Sequence, residues 1–112
     1  MAGPSLQAFK ADFFRALAHP LRIRILETLA GGERSVQELQ QALDLEQPVV
    51  SQQLSVLRSR NIIVSRKVGT TVRYTLSDPL VTRLLAVARE IFNRHLVGTQ
   101  SLLRELKREG RR

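Results

Sequence analysis

Near the middle of the chain, Gln47, Val49, Ser51, Gln52 and Gln53 bring together amides, a hydroxyl and a small apolar group, with no carboxylate among them. That set suits the edges of bases. Glutamine can pair with N6 and N7 of adenine, serine serves several bases or a phosphate, and valine suits a thymine methyl. A second set, Arg66, Lys67, Thr70, Thr71 and Arg73, is basic and hydroxylic, the chemistry of phosphate and minor-groove contacts. Arg22, Arg24, Arg58 and Arg60 are further phosphate candidates, although an arginine on a helix face is often simply solvated. Nothing comparable exists for catalysis. A nucleophile needs an acid–base partner, Ser51 has no histidine near it, and the acidic residues are scattered among arginines as surface pairs. The chain reads as a non-enzyme with no catalytic residues and no cofactor.

Composition narrows the partner. A chain of 112 residues is one domain by length, with a thin core. Its 43% hydrophobic content is enough to fold. Lys and Arg number 18 against 10 Asp and Glu, a net charge of +8, and arginine supplies most of the excess. Guanidinium forks match phosphate geometry, so a polyanion is the expected partner. The absence of cysteine excludes disulfides, thiolate metal sites and thiol switches. No apolar run approaches the roughly 18–20 residues of a membrane span, and no signal peptide opens the chain, so a cytoplasmic protein with no membrane contact is expected.

The base-reading set must be held by residues 35–60. Ser35-Val36-Gln37-Glu38 is a capping box that opens a helix. Val36, Leu39 and Leu43 then form one buried stripe. A break falls at Asp44-Leu45-Glu46-Gln47, and a second helix starts near Pro48 with Val50, Leu54 and Leu57 facing inward. Two short helices around a tight turn, the second with a polar, acid-free outer face, make a helix-turn-helix. Upstream, Leu6, Phe9, Phe13, Phe14 and Leu17 predict a helix over 5–17. His19-Pro20 breaks it, and a second helix carries Leu21, Ile25, Leu26 and Leu29 to Gly31-Gly32. Downstream, β-branched density around Gly69 predicts a hairpin over 62–76, with Val72, Tyr74 and Leu76 on its buried face. A basic hairpin directly after a helix-turn-helix is a wing. Asp78 caps a long last helix over 79–108, with Pro79 at its first position. The expected fold is mainly α with a two-stranded β-hairpin, a winged helix-turn-helix in the order α-α-α-α-β-β-α. It forms one domain over 5–108, between a disordered leader at 1–4 and a basic tail at 109–112.

Along the last helix Val81, Leu85, Ala88, Phe92, His95, Thr99, Leu102 and Leu106 step alternately by four and three. A helix of about 30 residues spans about 45 Å, more than a domain this small can cover. One copy cannot bury such a seam, so a homodimer is expected through the first and last helices, with Leu6, Phe9, Phe13, Leu85, Phe92, His95, Leu102 and Leu106 at its interface. His95 would face its own copy. A half-buried histidine with a local hydrogen bond is the plain reading, and a proton switch the sharper one.

The same residues carry a family likeness. Ala16-Leu17-Ala18-His19-Pro20-Leu21-Arg22-Ile23-Arg24-Ile25-Leu26, Gln47-Pro48-Val49-Val50-Ser51-Gln52-Gln53-Leu54-Ser55-Val56-Leu57, and Arg66-Lys67-Val68-Gly69 followed by Tyr74-Thr75-Leu76 resemble the ArsR/SmtB family of bacterial winged-helix repressors. The resemblance covers most of residues 12–78. It implies a homodimer that binds double-stranded, pseudo-palindromic operator DNA, with Gln47, Ser51 and Gln52 as recognition contacts and Val49 and Gln53 close by. It also marks departures. Where thiol-bearing relatives place metal ligands, this chain has Ser35, Gln37 and Gln40. At the zinc-site positions of other relatives it has Asp78, Leu80, Ile91 and Arg94, of which only the Asp could be a ligand. No metal site is therefore expected, and the effector stays open between a small organic ligand, a partner protein and none. The alternative to a DNA reader is a winged-helix protein-interaction module, which the acid-free helix face and its lack of exposed aromatics disfavour.

Overall fold

A computed structural model describes residues 5–110, with Val97 by its backbone alone. The leader expected at 1–4, and Arg111 and Arg112 of the expected tail, lie outside the described residues. The elements follow in the order α1 (Leu6–Leu17), α2 (Pro20–Ala30), β1 (Arg34–Ser35), α3 (Val36–Leu43), α4 (Gln47–Ser59), β2 (Ile63–Val68), β3 (Thr71–Leu76) and α5 (Pro79–Gly110). They form a first compact unit that ends at Thr82 and a second that is the remainder of α5.

Local chemistry places the helix ends. Ser5 Oγ accepts from the Ala8 N–H at 3.1 Å, and His19 Nδ1 accepts from the Leu21 N–H at 3.1 Å ahead of α2. The capping box of α3 is complete. The Glu38 N–H donates to Ser35 Oγ at 3.2 Å, and the Ser35 N–H donates to Glu38 Oε1 at 3.0 Å. Asp78 Oδ1 accepts from the Leu80 N–H at 2.8 Å at the start of α5. Two helices end in left-handed residues that are not glycine, Asp44 at φ 53° and Asn61 at φ 59°, side chains that tolerate this region. The chain folds back after each, Leu45 N–H donating to the Gln40 carbonyl at 3.2 Å and Ile62 N–H to the Leu57 carbonyl at 3.0 Å. The Asp44 reversal is the turn between α3 and α4.

The expected hairpin forms as β2 and β3, and a third, unexpected strand joins it. Together they make a three-stranded antiparallel sheet in the order β1-β3-β2. β1 pairs Arg34 with Tyr74 and Ser35 with Arg73, which makes β3 the central strand. A strand of two residues carries no alternation, so nothing local announces it. β2 and β3 run in register from Ile63 opposite Leu76 to Val68 opposite Thr71. The two-residue connection Gly69-Thr70 begins at φ 63°, a conformation that glycine adopts without strain.

The core of the first unit is aliphatic. Ile25 and Leu26 of α2, Leu39 of α3, Val50, Leu54 and Leu57 of α4, and Ile62 and Ile63 at the hairpin base are all essentially buried. Ile62 also closes that base, its carbonyl accepting from the Ser77 N–H at 3.0 Å and from Ser77 Oγ at 2.9 Å. α5 runs for 32 residues, straight through Gly98 and two residues beyond its expected end. Glu109 and Gly110 are thus helical rather than tail.

Candidate nucleic-acid interface

The face that α4 turns outward follows from the face it buries. Val50, Gln53, Leu54 and Leu57 form its inner stripe, so the 3.6-residue period leaves Pro48, Gln52, Ser55 and Ser59 outermost, all exposed. Gln47 is exposed at the first turn, while Val49 and Ser51 are half-buried at its flanks. Gln47 Nε2 donates to Ser51 Oγ at 2.7 Å. The two side chains form one unit, with the glutamine carbonyl as an acceptor and the serine hydroxyl as a donor. From Gln47 to Ser59 the helix has no acidic residue.

Gln53 corrects the expected reading set. It is 8% exposed, and its Oε1 accepts from Arg22 Nε at 2.8 Å. Position 53 stands three residues after Val50 and four before Leu57, which is the core stripe. The periodicity could have shown this; glutamine's polarity argued the other way. Ser55, which helical spacing also puts on the outer face, is exposed there.

Two of the expected phosphate arginines are engaged within the chain. Arg22 spans the end of α1 and the middle of α4, donating from Nη1 to the Ala16 carbonyl at 3.3 Å and from Nε to Gln53. Arg24 Nη2 donates to the Leu43 carbonyl at 2.9 Å and so completes the C-terminal turn of α3. Arg58 and Arg60, exposed at the end of α4, have no side-chain partner among the described residues. Arg22→Met is expected to cost about 1–3 kcal/mol in urea unfolding, since it strands the Gln53 amide. Arg22→Met combined with Gln53→Leu is expected to recover most of that loss, because both polar groups then leave together. If the double variant were no more stable than the single, the bond would not be what holds α4.

On the wing, Lys67, Thr70 and Thr71 are exposed around the tip. Arg66 and Arg73 stand directly opposite each other across β2 and β3, a like-charge pair that by itself destabilises a hairpin. Glu33, just before β1, resolves it. Arg66 grips Glu33 with both arms of its fork, Nε to Oε1 at 2.6 Å and Nη2 to Oε2 at 2.9 Å. Arg73 lies 3.6 Å from the same carboxylate and 2.9 Å from Glu38 Oε1, and donates to the Glu33 carbonyl at 3.2 Å. The Arg66 hydrogen bond, helped by the charges of Arg66 and Arg73, holds the Glu33 carboxyl below the ordinary glutamate range. The Ser35 N–H does the same for Glu38, with Arg73 contributing less. Glu33 could not be found from the sequence, because only strand register brings it to Arg66.

Several helix faces remain apolar in the single chain. On α1, Leu6, Phe9 and Phe14 are exposed. Phe13, the expected interface ring, is half-buried, with its centroid 5.8 Å from that of Phe14 in an edge-to-face pair. Adjacent residues lie about 100° apart around a helix, so only one of the two rings can face outward, and it is Phe14. On α5, Ile91, Phe92, Leu96, Leu102, Leu103 and Leu106 are each more than half exposed. His95 is exposed among them and Leu85 is half-buried. At the positions where relatives of the resembled family hold metals, Asp78 caps α5 and Arg94 pairs with Glu90 at 2.7 Å. Among the described residues, no three His, Asp or Glu side chains gather into a group that could hold a metal ion. None of the described helices is long and apolar enough to cross a membrane.

Comparison with known proteins matches residues 19–65 to the bacterial regulatory protein, arsR family. The uncharacterized HTH-type transcriptional regulator Rv0081 of Mycobacterium tuberculosis is 41% identical over 98% of this chain and 97% of its own. The biofilm growth-associated repressor of Agrobacterium fabrum is 42% identical over 73% of this chain and 70% of its own. The crystal structure of Rv0081 superposes with a TM-score of 0.79 at 43% identity, covering 87% of this chain and 98% of the other. The solution structure of a homodimeric winged helix-turn-helix DNA-binding domain from Mycobacterium bovis gives a TM-score of 0.75 at 33% identity, covering 86% and 94%.

Proposed function

The chain belongs to the arsR family of bacterial regulatory proteins and is a winged helix-turn-helix transcriptional regulator, and from that premise we propose that it is a homodimeric repressor that occupies a pseudo-palindromic operator. The acid-free outer face of α4 carries this proposal. That helix enters the major groove, where Gln52 and Ser55 meet base edges and the linked Gln47–Ser51 pair meets the next step. Val49 lies alongside for a thymine methyl. Lys67, Thr70 and Thr71 bring the wing to phosphate or the minor groove, and Arg58 and Arg60 add backbone contacts. A second copy covers the apolar faces of α1 and α5, a reading that a homodimeric relative supports, and sets two half-sites about one helical turn apart. Occupancy of a promoter in the bacterial cytoplasm is sufficient for repression and calls for no catalytic group. The name of the Agrobacterium fabrum relative, a repressor, supports that direction of control.

Fluorescence anisotropy with DNA from the chain's own promoter region tests the proposal. The wild-type protein is expected to prefer that DNA over random sequence and to lose affinity steeply as salt rises. Gln52→Ala is expected to relax preference at one base position. Lys67→Ala is expected to weaken every sequence about equally and to reduce the salt slope by about one. Equal binding of the wild type to promoter and random DNA would overturn the proposal.

A further inference from the structure

We propose that Glu33 is a specificity-determining residue, which withholds the Arg66 charge from DNA that is not held in register. The inference rests on the wing lying against the DNA backbone, as proposed above. Arg66 is 67% exposed and stands on the strand that leads to the wing tip, yet both arms of its fork close on Glu33. Its cross-strand neighbour Arg73 is held mainly elsewhere, 2.9 Å from Glu38 Oε1 and donating to the Glu33 carbonyl at 3.2 Å, with the Glu33 carboxylate farther off at 3.6 Å. Loss of the Glu33 carboxylate therefore frees Arg66 first, while Arg73 keeps its shorter contacts to Glu38 and the Glu33 carbonyl. A carboxylate in this bidentate geometry offers a guanidinium what a phosphate offers, two acceptor oxygens in one plane. Loosely held random DNA presents its phosphates diffusely and does not displace a partner already in place. An operator seated by α4 presents one phosphate at a fixed position, which can take Arg66 from Glu33. Non-specific affinity, which is almost wholly electrostatic, is lowered by the fork more than operator affinity.

The test measures binding of the full-length wild type, Glu33→Gln, Arg66→Gln and the double variant to promoter DNA and to random DNA between 50 and 200 mM salt. Releasing one cation adds about 0.9 to the salt slope. Glu33→Gln should thus bind random DNA roughly tenfold more tightly at 50 mM salt, with a steeper slope, by that same counterion arithmetic. Its gain on promoter DNA is expected to be smaller, so its preference between the two falls. With Gln already at 66, Glu33→Gln should change random-DNA affinity by clearly less than it does beside Arg66, the remainder left by the looser Arg73 contact and by one lost charge. Glu33→Asp, which keeps the charge but is too short to hold the fork, is expected to move in the same direction as Glu33→Gln and serves if the latter misfolds. Equal tightening on both DNAs, unchanged or weakened random-DNA binding, or a full effect without Arg66 would each overturn the inference. A wild type with no promoter preference would instead sink the repressor proposal, a result separable from these.

Discussion

Phe92→Arg is expected to leave the protein monomeric and to weaken operator binding by at least about a hundredfold, the scale lost when two linked sites are uncoupled. Phe92 is 66% exposed on α5, on a stripe continued by Leu96, Leu103 and Leu106 at steps of four, seven and three. In a homodimer one substitution acts twice, placing two guanidinium groups in an apolar seam. The chain that binds DNA is then one half-site reader, deprived of the second contact that its partner supplies at millimolar effective concentration. Sedimentation equilibrium and anisotropy on the same samples read both quantities. Because the ring is exposed in the single chain, the first unit is expected to keep its helical circular dichroism. A variant that remains dimeric with undiminished affinity would show that the α5 face has another use.

The second large effect belongs to the core behind the reading helix. Leu57→Ala is expected to destabilise the fold by about 2–5 kcal/mol, the range for large-to-small substitutions at closed sites. Leu57 is 0% exposed, and its carbonyl anchors the turn after α4 by accepting from Ile62. Small domains hold only about 5–15 kcal/mol in all, so melting is expected to fall by about 10–30 °C. Leu57→Met, which conserves volume, is expected to cost less than about 1.5 kcal/mol. Thermal and urea unfolding measure both. A loss from Leu57→Ala of under about 1 kcal/mol would mean that α4 is not held by this stripe.

Most elements of the fold were legible locally because the interactions that define them span three or four residues. The capping box at Ser35 and Glu38, the cap at Asp78, the break before Pro20 and the stripe Val50-Leu54-Leu57 all formed where spacing placed them. The expected length of α5 fell two residues short, since neither Glu109 nor Gly110 carries a stop strong enough to end a long helix at Arg108. Phe13 and Phe14 show the limit of such reasoning. Both are apolar and adjacent, and only the packing of α1 decided which ring turned inward.

By itself, then, the sequence determined a helix-turn-helix with an acid-free second helix, a basic wing and an apolar last helix, because capping, periodicity and charge are properties of neighbouring residues. Tertiary structure decided which polar groups are engaged within the fold and which stay exposed. Gln53 and Arg22, 31 positions apart, meet behind α4 and are spent on each other. Arg66 and Glu33, 33 positions apart, close into a fork once β1 joins β3. A glutamine or an arginine is equally suited to a base, a phosphate or a buried partner. Its side chain goes to the partner that the fold brings within about 3 Å, where a hydrogen bond forms.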